Sequence, residues 1–566
     1  MTSAMMGKRE RAITRNLLNV LIDRSGQRVW VWSSLTFLVV TGLVALVVYN
    51  GPSHIVAPWD IFILLDSGWR IFSGQIPHTD FHNPIGPLTY ELIALGMRLA
   101  GPSLRSIAYS DVIFVLGTTT WAWLVSRSRL SALNSFLFTL FVALLSLATR
   151  PLGFDPHITT YALIYNRYGW VLYSVLLVEL FIEPQAETRA SKVWNGLSIG
   201  LLLGFLFFDK ITYFAAGVAA TVLQVILRRS SARSIGGQLV GFLSVCLVMS
   251  WAFQINILSY IQDVLSAGRA QSLVLRLHFL GSSVKHNWLN ILLFGAILLL
   301  LYATIYKPDS GGPATTQVFT TLITVGFCWL SAFLIASGDA PEASDIPVVF
   351  VSALILLEAV SWRINWQTAV RPTAAEISYG ITFLLALVAF AGPIMLKDAL
   401  SLVYTSEWRA YRLSPASAGQ RFDSAALADF VIPASSDYQT AYVLAKYVPA
   451  QINDGLQLLR QHITSQSRIF TVGLTNPFAI ALDLPSPQGT LAWWDLNFSI
   501  STDYYPSAAR TFQDVDLVMV PVQHPQDAGC CWPTVEQMLT VYGPYLQEHF
   551  VQVGQTPYWI LLEQRH

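Results

Sequence analysis

Charge is what this sequence has least of. Only 12% of its 566 residues are Asp, Glu, Lys or Arg, about half the share of a water-soluble domain, while 54% are hydrophobic. Basic and acidic residues balance at 34 each, so the chain lacks the basic surplus of a nucleic-acid binder. Cysteine is scarce too, with four in all. Cys246 and Cys328 lie inside apolar runs and read as packing residues. Cys530 and Cys531 are adjacent, which suits neither a stapling disulfide nor a metal site. There is no Walker sequence, and the GLTNPF segment at 473–478 lacks the glycines of a dinucleotide fingerprint. The energy for any reaction must therefore come from the substrate. A cleavable signal peptide is not expected, because residues 1–28 are basic and polar and the first apolar run is too long.

What the chain does have is a series of apolar runs long enough to cross a bilayer core of about 30 Å. They fall near 30–49, 106–125, 132–148, 168–184, 194–208, 211–227, 236–258, 287–306, 317–336, 346–361 and 377–396. Lys8, Arg9, Arg11 and Arg15 precede the first, which places residues 1–29 in the cytoplasm by the positive-inside rule. Alternate loops carry Arg127 and Arg129, then Arg189 and Lys192, then Arg228, Arg229 and Arg233, and support that orientation. The loop after 258 breaks the pattern, since it holds Arg269, Arg276 and Lys285 on the opposite side. The expected fold is an α-helical polytopic membrane protein of about eleven transmembrane helices over 30–398, with a first extracytoplasmic loop at 50–105. From residue 399 the composition becomes that of a soluble extracytoplasmic α/β domain. There 441–463 reads as a helix, 468–474, 515–522 and 558–564 as strands, and 534–550 as a helix broken near Gly543–Pro544.

The polar residues concentrate in one stretch, 58–90, directly after the first apolar run: PWDIFILLDSGWRIFSGQIPHTDFHNPIGPLTY. Ionisable groups beside a membrane are costly unless solvated or used, so this stretch is a candidate site. Asp60 follows Pro58 and begins an amphipathic segment; it reads either as a functional acid or as a first-turn helix acid. Asp66 and Arg70 stand four residues apart, a spacing that pairs them on one helical face. Asp80 lies between Pro77 and Pro84 and reads as a functional acid or an Asx-turn residue. His82 belongs to the same cluster. Elsewhere, Tyr165 and Arg167 open the fourth run, where the guanidinium suits a phosphate or an interfacial anchor. Asp209 and Lys210 interrupt an apolar run, as a turn or as a lysine facing a lipid-linked phosphate. His82, His157 and His278 are too scattered to argue a metal site, and no metal is implied. In AWWDLNF at 492–498 the tryptophans read as core residues of the small domain or as a sugar platform.

An aspartate just after the first run, then GQIPHTDF at 74–81 and GPLTY at 86–90, resembles the first extracytoplasmic loop of the GT-C superfamily. The resemblance is nearest to bacterial members related to protein mannosyltransferases and lipid A aminoarabinose transferases. It implies a glycosyltransferase moving a sugar from a polyprenyl-phosphate donor to a glycan, lipid or protein acceptor, usually by inversion. It further implies a bacterial inner-membrane setting. By the same resemblance Asp60 is the general base or acceptor-positioning acid and Asp80 the second acid of the loop. Arg167 and Lys210 are assigned from their own chemistry as phosphate contacts, and Asp66, Arg70, His82 and Tyr165 are expected around the substrate. A departure is Ile61, which stands where many relatives have an acid. Two other readings are weighed. A flippase or transporter of a lipid-linked saccharide would show internal repeats, and none is clear. An assembly or sensor protein would tolerate loss of Asp60 and Asp80.

Overall fold

In the computed structural model, residues 26–51, 57–185, 188–227, 229–305, 313–338, 345–361, 389–390, 392–413, 420–432, 447–523 and 532–565 are described. The membrane portion begins with α1 (Gly26–Asn50), α2 (Pro58–Phe72), α3 (Leu88–Ala100), α4 (Arg105–Ser126) and α5 (Ala132–Leu147). It continues with α6 (Ile164–Phe181), α7 (Arg189–Asp209), α8 (Ile211–Ile226), α9 (Ala232–Ala252), α10 (Ile257–Ala270) and α11 (Leu273–His286). After these come α12 (Trp288–Ile305), α13 (Pro313–Ala336), α14 (Val348–Ser361) and α15 (Gly392–Leu413). Among the described residues, α1, α7, α9 and α13 are long and apolar enough to cross a membrane; α5, α8, α12 and α14 hold shorter apolar stretches.

Ten of the eleven expected runs coincide with helices. The run near 377–396 lies largely outside the described residues, as do residues 1–25, Cys530 and Cys531. Besides α15, which runs on past the expected run near 377–396, three helices of the membrane portion were not expected: α3, α10 and α11. Each is 13 or 14 residues long, too short and too mixed to register as a span. Their apolar positions instead repeat at helical spacing, as in a helix lying along a surface.

Glycine sets the closest helix contact. A Cβ on Gly196 or Gly200 of α7 would sit 2.2 or 2.0 Å from a carbonyl oxygen of α9, and Gly237 and Gly241 answer from the other side. Small residues at four-residue spacing let the two backbones touch, as they do where lipid offers no hydrophobic drive.

The C-terminal domain holds the hairpin β1 (Gln420–Arg421) and β2 (Val431–Ile432), then α16 (Val448–Leu459), β3 (Ile469–Thr471), α17 (Phe478–Ala481) and α18 (Ala508–Thr511). It ends with β4 (Leu517–Pro521), α19 (Trp532–His549), β5 (Phe550–Gln555) and β6 (Trp559–Gln564). The sheet order is β3-β4-β6-β5, with β3 and β4 parallel and the other pairs antiparallel. The expected strands appear; β5 was not read, and its alternation shows only one buried residue, Phe550. The break expected in the last helix does not occur: α19 runs through Gly543 and Pro544. Its buried face, Val535, Met538, Tyr542 and Leu546, packs into the sheet's core beside Phe470 and Trp494. That packing outweighs the hydrogen bond which proline removes.

Candidate active site

The site is built by the first loop and the C-terminal domain closing on each other. Helix α2 starts sharply, with Ala57 in the left-handed region at φ 57° and Pro58 at the first helical position. Asp60 follows in the first turn, where free amides favour a carboxylate. Farther along the same helix, Asp66 and Arg70 form a buried pair at 2.8 Å, as the spacing predicts. Arg70 also donates to the Pro487 carbonyl at 2.7 Å and Thr490 Oγ1 at 3.2 Å, while Ser486 Oγ donates to Asp66 at 3.1 Å. Trp69 Nε1 donates to the Leu484 carbonyl at 2.9 Å. The far end of α2 is thus a dock for the 484–490 segment.

The loop after α2 continues the dock through its backbone. Gly489 N–H donates to the Asp80 carbonyl, His82 N–H to the Thr490 carbonyl and Ala492 N–H to the His82 carbonyl, at 2.6, 2.9 and 2.9 Å. This pairing carries the chain directly into Trp493, Trp494 and Asp495. Trp494 fills the core of the small domain, whereas Trp493 Nε1 points at Asn83 Oδ1, 3.4 Å away. Gly86 then meets the membrane helices: a Cβ there would lie 2.0 Å from the Phe208 carbonyl oxygen, and its N–H donates to the Asp209 carbonyl at 2.9 Å. Only glycine allows this approach. Thus the GPLTY and FFDK sequences share a single backbone contact, and Lys210 follows in extended conformation between α7 and α8.

Helix α10 is fastened to the same loop by two histidines. His78 and His82 each place Nδ1 2.8 Å from an oxygen of Asp263. Burial opposes ionisation of Asp263, yet the two histidine hydrogen bonds hold its pKa below the ordinary carboxylate value. Burial in turn lowers the pKa of His78. His78 sits at φ 63°, a strained position for a residue with a Cβ. His82 Nε2 faces Arg510 of the C-terminal domain.

These contacts enclose a cavity of about 790 Å³ between the membrane helices and the C-terminal domain. Its walls are mainly apolar, from Ile63, Leu64, Ile85, Phe154, Ile158 and Phe498 among others. Into it come two acids, Asp60 and Asp495, and three cations, Lys210, Arg269 and Arg276. Burial, and secondarily the charge of Asp495, pushes the pKa of Asp60 up to about 7; burial raises Asp495 to about 7 as well. Lys210 Nζ donates to Asn166 Oδ1 at 3.0 Å and to the Gly338 carbonyl at 3.3 Å, and lies 5.4 Å from the centre of the Tyr165 ring. Arg269 closes the last turn of α10, and Arg276 lies in the first turn of α11.

Of the expected site residues, Asp60, Tyr165 and Lys210 line this cavity; Asp66, Arg70, Asp80, His82 and Arg167 are not in its lining. Arg167 faces away from the expected phosphate role because its fork is committed elsewhere. It binds Asp398 at 3.2 Å and donates to the Leu145 carbonyl at 3.0 Å. Asp80 closes a turn, its carboxylate accepting from Ile76 N–H at 2.7 Å. His82 acts on Asp263 and Arg510, and the Asp66–Arg70 pair on the domain dock. Three residues of the cavity escaped the sequence reading: Asp495, Arg269 and Arg276. The two arginines had left a trace as exceptions to the charge pattern of the loops. Among the described residues no group of three or more His, Cys, Asp or Glu is arranged to hold a metal.

No protein-family model matches this chain, and no curated protein matches it. Two solved structures are similar to it. ArnT from Cupriavidus metallidurans bound to undecaprenyl phosphate is 12% identical, with a TM-score of 0.44 over 94% of this chain and 97% of that one. The same protein in its apo state has 12% identity and a TM-score of 0.43 over the same shares.

Proposed function

We propose that this chain is a membrane glycosyltransferase of the GT-C type, transferring a sugar from a polyprenyl-phosphate donor to a hydroxyl-bearing acceptor at the outer face of a bacterial inner membrane. The observation that carries the reading is the convergence of two carboxyl groups and three cations in one apolar-walled cavity. Asp60 is the general base. Its raised pKa puts it close to neutral pH, where a base combines sufficient ionisation with sufficient strength. Lys210, Arg269 and Arg276 face the phosphate, whose negative charge grows as it leaves. The apolar walls suit the lipid chain of the donor. In the displacement, the acceptor oxygen bonds to the anomeric carbon as the bond from that carbon to the phosphate oxygen breaks. The hydroxyl proton passes to Asp60, and the electron pair departs on the polyprenyl phosphate. Asp80, Asp66, Arg70 and His82 hold the loop and the C-terminal domain around this centre, and Tyr165 flanks Lys210.

The test is sugar transfer by the purified chain in lipid, with a panel of polyprenyl-phosphate hexoses and pentoses and an envelope acceptor fraction. Asp60→Asn is expected to lower turnover by about 10²–10⁴-fold, the usual contribution of a placed base. Turnover by Asp60→Asn within a few-fold of the unaltered chain would overturn the assignment.

A further inference from the structure

We propose that Asp495 of the C-terminal domain binds the acceptor, and that the acceptor is a saccharide presenting two neighbouring hydroxyl groups, one to Asp60 and one to Asp495. The inference rests on the glycosyltransferase reading above and assigns its acceptor side. Asp495 and Asp60 line one cavity, and the charge of Asp495 acts on Asp60. The backbone around Asp495 is held from several directions. Its N–H donates to Ser499 Oγ at 2.7 Å, and its carbonyl accepts from the N–H groups of Ser499 and Ile500 at 2.9 and 3.1 Å. Leu496 N–H donates to Thr534 Oγ1 at 3.2 Å, which ties the turn to α19. The side chain is treated quite differently. Among the described residues the Asp495 carboxylate has no hydrogen-bond partner, although burial presses it towards the neutral form.

A fixed backbone presenting an unpartnered carboxyl group into a cavity is a binding group waiting for a donor. The same holds for Asp60, whose carboxylate also has no hydrogen-bond partner among the described residues. Two such groups can serve two hydroxyls: the ionised one takes a proton, the other gives or accepts a hydrogen bond. A serine, threonine or tyrosine acceptor offers one hydroxyl only, whereas a sugar ring offers neighbours. In the transfer the attacking hydroxyl loses its proton to Asp60, while Asp495 holds the adjacent hydroxyl and keeps its own proton count. The cations remain for the phosphate, and donor and acceptor meet at the seam of the two domains.

The experiment measures transfer by the full chain in lipid from polyprenyl-phosphate sugars to methyl hexosides and their singly deoxygenated counterparts, over pH 5 to 9. Asp495→Asn should raise the acceptor KM about tenfold or more, the worth of one hydrogen bond to a charged group, and leave the donor KM in place. It should also abolish discrimination against the deoxy acceptor. The acid limb of the rate profile should move to lower pH, because Asp60 loses a neighbouring negative charge. Ser499→Ala, which loosens the same turn but keeps the carboxylate, should leave the limb where it is. An unmoved limb in Asp495→Asn, or a limb moved equally by Ser499→Ala, overturns the proposal. So does an unchanged acceptor KM. Full turnover by Asp60→Asn would instead remove the reading beneath it.

Discussion

Two aspartates on one helix show how differently this protein uses the same side chain. Asp66 is fully buried and meets Arg70 at 2.8 Å and Ser486 at 3.1 Å. Asp60, six residues earlier in sequence, opens onto a cavity, and burial with the charge of Asp495 pushes it up to about 7. Both acids follow from the same amphipathic segment. What separates them is the company: Arg70 one turn away and Ser486 of the C-terminal domain for one, a second carboxyl group from that domain for the other. A compensated carboxylate becomes part of the architecture, and an uncompensated one in a cavity is a candidate for chemistry.

The largest effect is expected from breaking the compensated member. Arg70→Met leaves Asp66 as an unpaired buried charge and removes the bonds to the 487–490 segment. Thermal unfolding in detergent should show a loss of about 3–5 kcal/mol. A melting temperature equal to that of the unaltered chain would mean that the dock is held without the pair.

The uncompensated member should respond with the opposite sign. The Asp60 pKa is raised from 3.8 to about 7, so the folded chain holds a proton there that the unfolded chain releases. That preference stabilises the fold below about pH 4 and is lost as pH rises to about 7. Asp60→Asn carries no such loss, so its melting temperature should gain on that of the unaltered chain between pH 4 and pH 7 and hold the gain above. A constant difference across that window would mean that Asp60 is not raised. The smallest effect is expected from Ser486→Ala, which deletes one neutral partner of Asp66. It should cost about 1 kcal/mol in the same unfolding measurement, and a loss as large as that of Arg70→Met would erase the ranking.

The sequence discloses local relations and hides distant ones. Ten apolar runs were readable because a span needs a run of a set length. The Asp66–Arg70 pair was readable because four residues make one helical turn. Asp60 could be singled out by its place after the first run and by its resemblance to a known loop. Helices α3, α10 and α11 could not, since each buries only part of its surface and none is long enough to stand out. Arg167 illustrates the converse failure. Its guanidinium fork suggested a phosphate and its aromatic neighbours an interfacial anchor, but its partner Asp398 lies on α15 and no spacing connects them. Asp495 was hidden for the same reason: nothing in AWWDLNF says that Gly489, Thr490 and Ala492 pair with the first loop. The arginines of α10 and α11 were visible only as an anomaly of charge, and both line the cavity.

Gly86 has a consequence for traffic through the cavity. With the Phe208 carbonyl 2.0 Å from where a Cβ would stand, the first loop and the junction of α7 and α8 meet backbone to backbone. Such a joint cannot slide or part without losing the Gly86–Asp209 hydrogen bond. This side of the cavity is therefore a fixed jamb. On the proposed reading, a doorway for the lipid-linked sugar opens where α10 and α11 are held through side chains: on α10 Asp263 by His78 and His82 and Tyr260 by the Phe207 carbonyl, on α11 His286 by Asp345.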